Sequence, residues 1–229
     1  MPAAAAPSLV NLASTSLQTA AGGGSTAVKL FLVLTALSFG TAIILSVTSF
    51  TRIIIVFSFL RQAMGTPQLP PNQVLVGMSL FLTLFIMAPT VHKIQEQSLD
   101  PLMEDKISVG EALTRAQAPL SEWMLKQTKD DDLKLFFEVA GAARPARGEA
   151  IPFTVLVPSF MISELSTAFR MGLYLFIPMV LIDLLVSVIM MSLGMMMVPP
   201  TLVAMPLKLG VFLLAGGWHL VVSSLVRSF

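Results

Sequence analysis

Four stretches of this 229-residue chain are apolar for about twenty residues each: residues 30–50, 74–91, 171–198 and 202–226. A helix rises about 1.5 Å per residue, so each stretch is long enough to cross a hydrocarbon core of about 30 Å. In lipid every backbone polar group must be satisfied within the chain, and for runs of this length only helices do that. The composition agrees: 55% of residues are hydrophobic and only 12% charged, with a mean hydropathy of +0.83. These values exclude an ordinary soluble domain and give an all-α membrane protein.

The acids divide the chain. All but Asp183 lie between Glu96 and Glu164, so that interval is expected in water. Residues 1–28 carry no charge and no sustained apolar run, which reads as an exposed tail without the basic start and apolar centre of a signal peptide. The expected organisation is a tail at 1–28, hydrophobic helices at 29–91, a small helical extracytoplasmic domain at 92–150, and hydrophobic helices at 151–229. Arg52, Arg61 and Lys208 stand in the two connections that lack acids, and by the positive-inside rule they place those connections in the cytoplasm and residues 92–170 outside.

Within the outer interval, Ser108 and Glu111 have the spacing of a capping box, and Pro119 is expected to end the helix they start. Leu120, Trp123, Met124 and Gln127 then repeat at helical spacing. Leu133, Phe136, Phe137 and Ala140 do the same after the acidic run Asp130, Asp131 and Asp132. Three short amphipathic helices follow, able to pack on one another or on a neighbouring subunit, with Phe136 and Phe137 as contact candidates.

The sequence offers little chemistry of the catalytic kind. It has no cysteine and two distant histidines, His92 and His219, and it lacks a phosphate-binding loop, a nucleophile elbow and a dinucleotide fingerprint. No enzyme, metal or cofactor is expected. The intramembrane carboxylate Asp183 is costly unless paired, and Arg52 or Lys208 from another helix or subunit is the expected partner. A polar tie between helices is favoured over a proton path, because no second acid or polar run accompanies Asp183. Glu164 lies six residues before Arg170, off its helix face, so its partner is expected on another segment or subunit. Pro178, Pro199, Pro200 and Pro206 are expected to break the last two apolar segments, giving long broken helical hairpins suited to assembly.

Five of the fifteen methionines fall in the segment "MMSLGMMM", just before Pro199 and Pro200. Methionine is unbranched and polarisable and fills irregular gaps. With Gly194 as a hinge, Met195, Met196 and Met197 repeated around an axis would make rings of soft side chains, a deformable seal. Simple gap filling in helix packing stands equally as an explanation of the same residues.

The stretches "TSFTRIIIVFSFLRQAMGTPQLPPNQVLVGMSLFLTLFIMAP", "PLSEWMLKQT", "PSFMISELSTAF", "FIPMVLIDLLVSVIMMSLGMMMVPP" and "MPLKLGVF", in this order, closely resemble the FliP family of bacterial flagellar proteins. The resemblance implies a core subunit of the flagellar type III export gate in the bacterial inner membrane and the flagellar basal body, with a periplasmic portion. It implies several copies assembled with FliQ and FliR into a helical, closed pore, working with FlhB and FlhA and passing exported flagellar polypeptides. It also assigns Met195, Met196 and Met197 to a gasket around the exported chain, and the alternative it leaves is the equivalent gate subunit of a virulence type III secretion system. The resemblance further implies that the apolar segments need not all be bilayer crossings in the assembled state. Relatives often read Asp-Gly-Trp where this chain has Gly216, Gly217 and Trp218, so a role for that acid does not transfer. Rival readings are a lone secondary transporter, which would show internal repeats and several midplane polar residues, and a membrane scaffold.

Overall fold

The computed structural model describes residues 30–31, 34–35, 44–66, 68–142, 145, 151–195 and 197–229, and every element among them is helical. Residues 32–33 and 36–43 of the first expected apolar segment, and all of residues 1–28, lie outside the described residues. Residues 45–229 form one compact unit.

Helix α1 spans Phe50–Ala63. Its Ile53, Val56, Phe57 and Leu60 recur at 3–4 spacing and are almost wholly enclosed, because α1 runs through the middle of the bundle. The short apolar run between Arg52 and Arg61 is therefore a core helix. Helix α2 is Asn72–Ile94, and a π-helical turn Gln95–Leu99 leads into the short α3, Asp100–Met103. Together they make a continuous rod of 32 residues.

Helix α4 spans Val109–Gln127. Its N-cap is Ser108, whose Oγ accepts from the Glu111 backbone N–H at 3.3 Å, while the Glu111 carboxylate turns to Arg115 at 2.7 Å and does not close the capping box. Pro119 was expected to end this helix and does not. Both sides of the proline are anchored: Ala112 accepts from Ser98 Oγ at 2.6 Å, and Met124 is fully buried beyond it. Helix α5, Asp130–Val139, starts with three aspartates in its first turn, where the helix dipole favours them.

Helix α6 runs unbroken for 40 residues, Phe153–Ser192, through both Pro158 and Pro178. At 1.5 Å per residue that is about 60 Å, twice the hydrocarbon thickness. Its first half packs on α4 and α5 through Leu156, Phe160, Met124, Leu133 and the edge-on pair Trp123 and Phe160. The interval read as a separate watery domain thus shares its core with a long apolar helix.

Helix α7, Pro200–Leu214, and helix α8, Gly217–Arg227, meet at 63°. The fourth apolar segment was expected as one span, and Pro206 as its break, yet α7 passes through Pro206 and the bend falls ten residues later. Gly216 adopts the left-handed conformation at φ 62°. A Cβ on Gly217 would lie 2.2 Å from the Phe212 ring, so the bend depends on a residue without a side chain. Trp218 meets Phe212 and Phe57 edge-on and holds the bent pair against α1.

Candidate functional site

The hairpin between α6 and α7 carries the methionine run. Helix α6 ends in a Schellman motif: Gly194 N–H donates to the Met191 carbonyl at 3.1 Å, Met195 N–H donates to the Met190 carbonyl at 3.0 Å, and Gly194 has φ 74°. Pro199 is the N-cap of α7 and Pro200 its first residue, where a missing N–H costs nothing. Gly194, Pro199 and Pro200 thus frame a tight turn. Met190 is buried beside Val186 and Ala204, whereas Met195 is half exposed and Met197 is 97% exposed. Met196 lies outside the described residues.

Below the turn, Asp183 on α6 meets Lys208 on α7. Asp183 stands ten residues before Leu193 and Lys208 nine after Pro199, so about three helical turns on each arm bring them level. The Lys208 Nζ donates to Asp183 Oδ2 and, at 3.1 Å, to the Ala63 carbonyl at the end of α1. Lys208 is only 5% exposed, while the Asp183 side chain keeps about a third of its surface open. A buried ammonium held by a carboxylate and a carbonyl ties three helices at the base of the hairpin. Of the two partners expected for Asp183, the structure brings up Lys208.

Arg52 goes elsewhere. Its Nε donates to Glu164 Oε2 at 2.9 Å and its Nη2 to Glu164 Oε1, a bidentate pair with both residues 2% exposed or less. Its Nη1 donates to the Ser228 carbonyl at 2.7 Å and to Ser228 Oγ at 3.0 Å, and Nη2 also reaches Gln127 Oε1 at 3.3 Å. The Phe229 ring lies 3.9 Å from the guanidinium carbon, and Gln127 Nε2 donates to the Phe229 carbonyl at 3.0 Å. Arg52 therefore uses the planar fork that only arginine has to join α1, α4, α6 and the residues after α8.

One consequence corrects the sequence reading. Arg52 and Lys208 are buried ion-pair members inside helices, so they are not free loop charges, and the topology drawn from them loses two of its three markers. Glu164 finds its partner on another segment, one of the two places expected for it, and is enclosed within the chain; Phe137 is also buried, and Phe136 is half buried. The roles of Gln127, Ser228 and Phe229 went unread in the sequence. A charge inside an apolar run signals that a partner exists, but nothing local says which residue it is. Among the described residues no group of histidines and acids is arranged to hold a metal ion.

The FliP family profile matches residues 33–225. The flagellar biosynthetic protein FliP of Bacillus subtilis is 49% identical over 205 residues, covering 90% of this chain and 93% of that protein. FliP of Buchnera aphidicola from Baizongia pistaciae is 49% identical over 214 residues, 92% of this chain and 59% of that longer protein. FliP of Pectobacterium carotovorum is 48% identical over 202 residues, 88% of this chain and 78% of its own length. With the match running from before α1 to within α8, and so taking in both buried ion pairs and the methionine turn, the chain belongs to the FliP family.

Proposed function

We propose that this chain is a pore-forming subunit of the flagellar type III export gate, with Met195, Met196 and Met197 as the deformable seal. The observation that carries the reading is the hairpin tip: methionines stand exposed on a turn closed by Gly194 and Pro199, at the end of a helix longer than a bilayer requires. An exposed apolar tip is unfavourable in water, and copies arranged about an axis would bury these tips against one another. Flexible thioether side chains then close the opening yet yield to a passing polypeptide. The Asp183 and Lys208 clasp holds the two arms in register while the tip deforms.

The relatives are described as flagellar biosynthetic proteins, which favours the flagellar apparatus over its virulence counterpart. On this reading the working assembly contains further copies of the chain together with FliQ and FliR, and it lies in the inner membrane within the flagellar basal body, with a periplasmic portion. FlhB and FlhA are its neighbours in the apparatus, and flagellar polypeptides are its cargo. Its task is passage and sealing, without catalysis.

The test replaces Met195, Met196 and Met197 together with alanine. The expected outcome is increased ion leakage across the membrane while native gels still show the complex. A tight membrane with intact assembly and normal export would reduce the methionines to helix packing and remove the support for a seal.

A further inference from the structure

Helix α1 is the centre of the bundle on one side and open on the other. A groove of about 450 Å³ runs along the open side, lined by Ile55, Ser58, Phe59, Arg61, Gln62 and the following Gly65. Ser58 stands three residues before Arg61 and four before Gln62, so these polar residues are neighbours on one face of the helix. Ser58 and Gln62 are exposed and Arg61 is half buried. The exposed faces of α2 and of the second half of α6 are built differently, from residues such as Phe81, Leu84 and Phe85 or Leu181, Leu184 and Leu185. Apolar faces of that kind suit hydrocarbon. A guanidinium and a carboxamide set against hydrocarbon are left without partners, so the open face of α1 is made for polar company.

The charges at this end of α1 do not balance. Arg52 is held by Glu164 and Lys208 by Asp183. The Ser58 hydroxyl donates to the Ile54 carbonyl at 2.7 Å, whereas the Arg61 and Gln62 side chains make no hydrogen bond or ion pair among the described residues. A second cation is close by: Lys208 Nζ donates to the Ala63 carbonyl at 3.1 Å and lies 4.0 Å from the place that a Cβ on Gly65 would take. Arg61 and Lys208 about the single carboxylate of Asp183 leave one positive charge. The acids elsewhere are out of reach. Glu96 and Glu122 lie at the far end of α2, where both face the end of that helix through His92 and Lys93, and Asp132 and Glu164 sit at the Arg52 end of α1. A second copy of the chain offers at this level only its own Asp183, already engaged by its own lysine, so pairing copies through it would still bury an uncompensated cation.

We propose that this groove is the docking site for an apolar helix of a different protein, one that sets a single carboxylate against Arg61. Ile55 and Phe59 give such a helix apolar walls, and a carboxylate accepts the two parallel donors of the guanidinium. The added acid cancels the charge that this chain leaves open. The inference rests on the reading that the chain works in a complex with other proteins, and it adds which face meets one of them and by what chemistry.

Photocrosslinking tests it, in the assembled complex isolated from cells in which a diazirine-bearing amino acid replaces Gln62. The expected adduct joins this chain to a different protein, within one helical turn of an Asp or Glu in an apolar segment. In Arg61→Gln its yield should fall roughly thirtyfold, the lower end for truncating one partner of a buried charge pair, and Arg61→Lys should restore part of it. An adduct with a second copy of this chain, with lipid alone or with nothing overturns the proposal. So does a yield unchanged in Arg61→Gln, which would mean apolar docking without the charge. The melting temperature of the purified chain should hold in both Arg61 variants, and a large drop would assign Arg61 to the fold and overturn the docking role. If the isolated complex contains this chain alone, the export-gate reading falls too; if other proteins are present and crosslink elsewhere, only the docking site does.

Discussion

In the first half of α6 the buried positions begin as adjacent pairs, Val155 with Leu156, Ser159 with Phe160 and Ser163 with Glu164, whereas from Ala168 onward they come singly, at Ala168, Gly172, Met179, Val186 and Met190. Pairs at 3–4 spacing make a broad face, and it is covered by α4, α5 and α1. Single positions four to seven apart make a narrow seam, one contact every one or two turns. Much of the second half stays open: Leu173, Ile177, Leu181, Leu184, Leu185 and Val188 form an exposed apolar stripe, while Leu175, Phe176 and Ile182 rest against the core. The polar residues divide in the same way. Ser163 and Glu164 find partners in Lys129, Asp132 and Arg52, while the second half holds one charge, Asp183, taken up by the neighbouring arm of its own hairpin. One helix thus serves two environments: its first half is completed by this chain, and its second half needs lipid or other chains to complete it.

The largest effect is expected where the self-sufficient half is most tightly bound. Glu164→Ala leaves the Arg52 guanidinium buried without its carboxylate, and breaking such a pair costs about 3–5 kcal/mol. Thermal unfolding of the purified chain should show a large loss. Replacing both partners with apolar residues, Arg52→Met with Glu164→Leu, should recover much of it, since the penalty is that of an uncompensated charge. If the double variant lost as much as the sum of the single ones, the two residues would act separately and the first half of α6 would be held by apolar packing alone.

This pair also marks the limit of what the sequence made legible. The apolar periods revealed α2, the second half of α6 and the material of α7 and α8, because those signals lie within a window of about twenty residues. Ser108 announced the start of α4 for the same local reason. Arg52 and Glu164 are separated by 112 positions, and no pattern in either neighbourhood names the other. The proline rules misled at Pro119, Pro178 and Pro206: packing on both sides of a proline can hold a helix in line despite the lost hydrogen bond. At Gly216 and Gly217 the actual break came from glycines whose significance rests on the nearby Phe212 ring. For the methionine turn, sequence alone located the Gly and Pro-Pro frame, and the structure added which side chains stand out of it.

An intermediate effect is expected at the junction of the two halves. A Cβ on Gly172 would fall 2.6 Å from the Phe59 ring, which itself rests edge-on against Phe169. Gly172→Ala must therefore push α6 from α1 or displace a packed ring, and overpacking of this kind costs about 1–3 kcal/mol. Phe59→Ala in the same chain removes the Cγ and Cδ2 atoms that the new methyl meets, so the double variant should lose less than the sum of the two single changes. A Gly172→Ala chain as stable as the original would show that the seam already has slack where the broad face begins, and the contrast between the halves would soften into a gradient.

The smallest effect on the chain itself is expected on the exposed stripe, and here the comparison becomes most discriminating. Leu184 is 57% exposed, so Leu184→Ser removes few contacts within the chain, and surface changes of this kind usually shift stability by about 0.5 kcal/mol or less. If other chains cover the stripe, the same substitution leaves a hydroxyl in an apolar contact and removes side-chain packing at each copy, so the fraction recovered as an oligomer should fall while the melting temperature of the single chain holds. If lipid covers it, the hydroxyl can bond back to a helix carbonyl four residues earlier, as Ser187 does to Asp183 at 2.7 Å. Oligomer recovery would then be unchanged. Sedimentation of the variant beside the original separates the two cases, because only a protein neighbour makes assembly sensitive to one side chain that the folded chain scarcely touches.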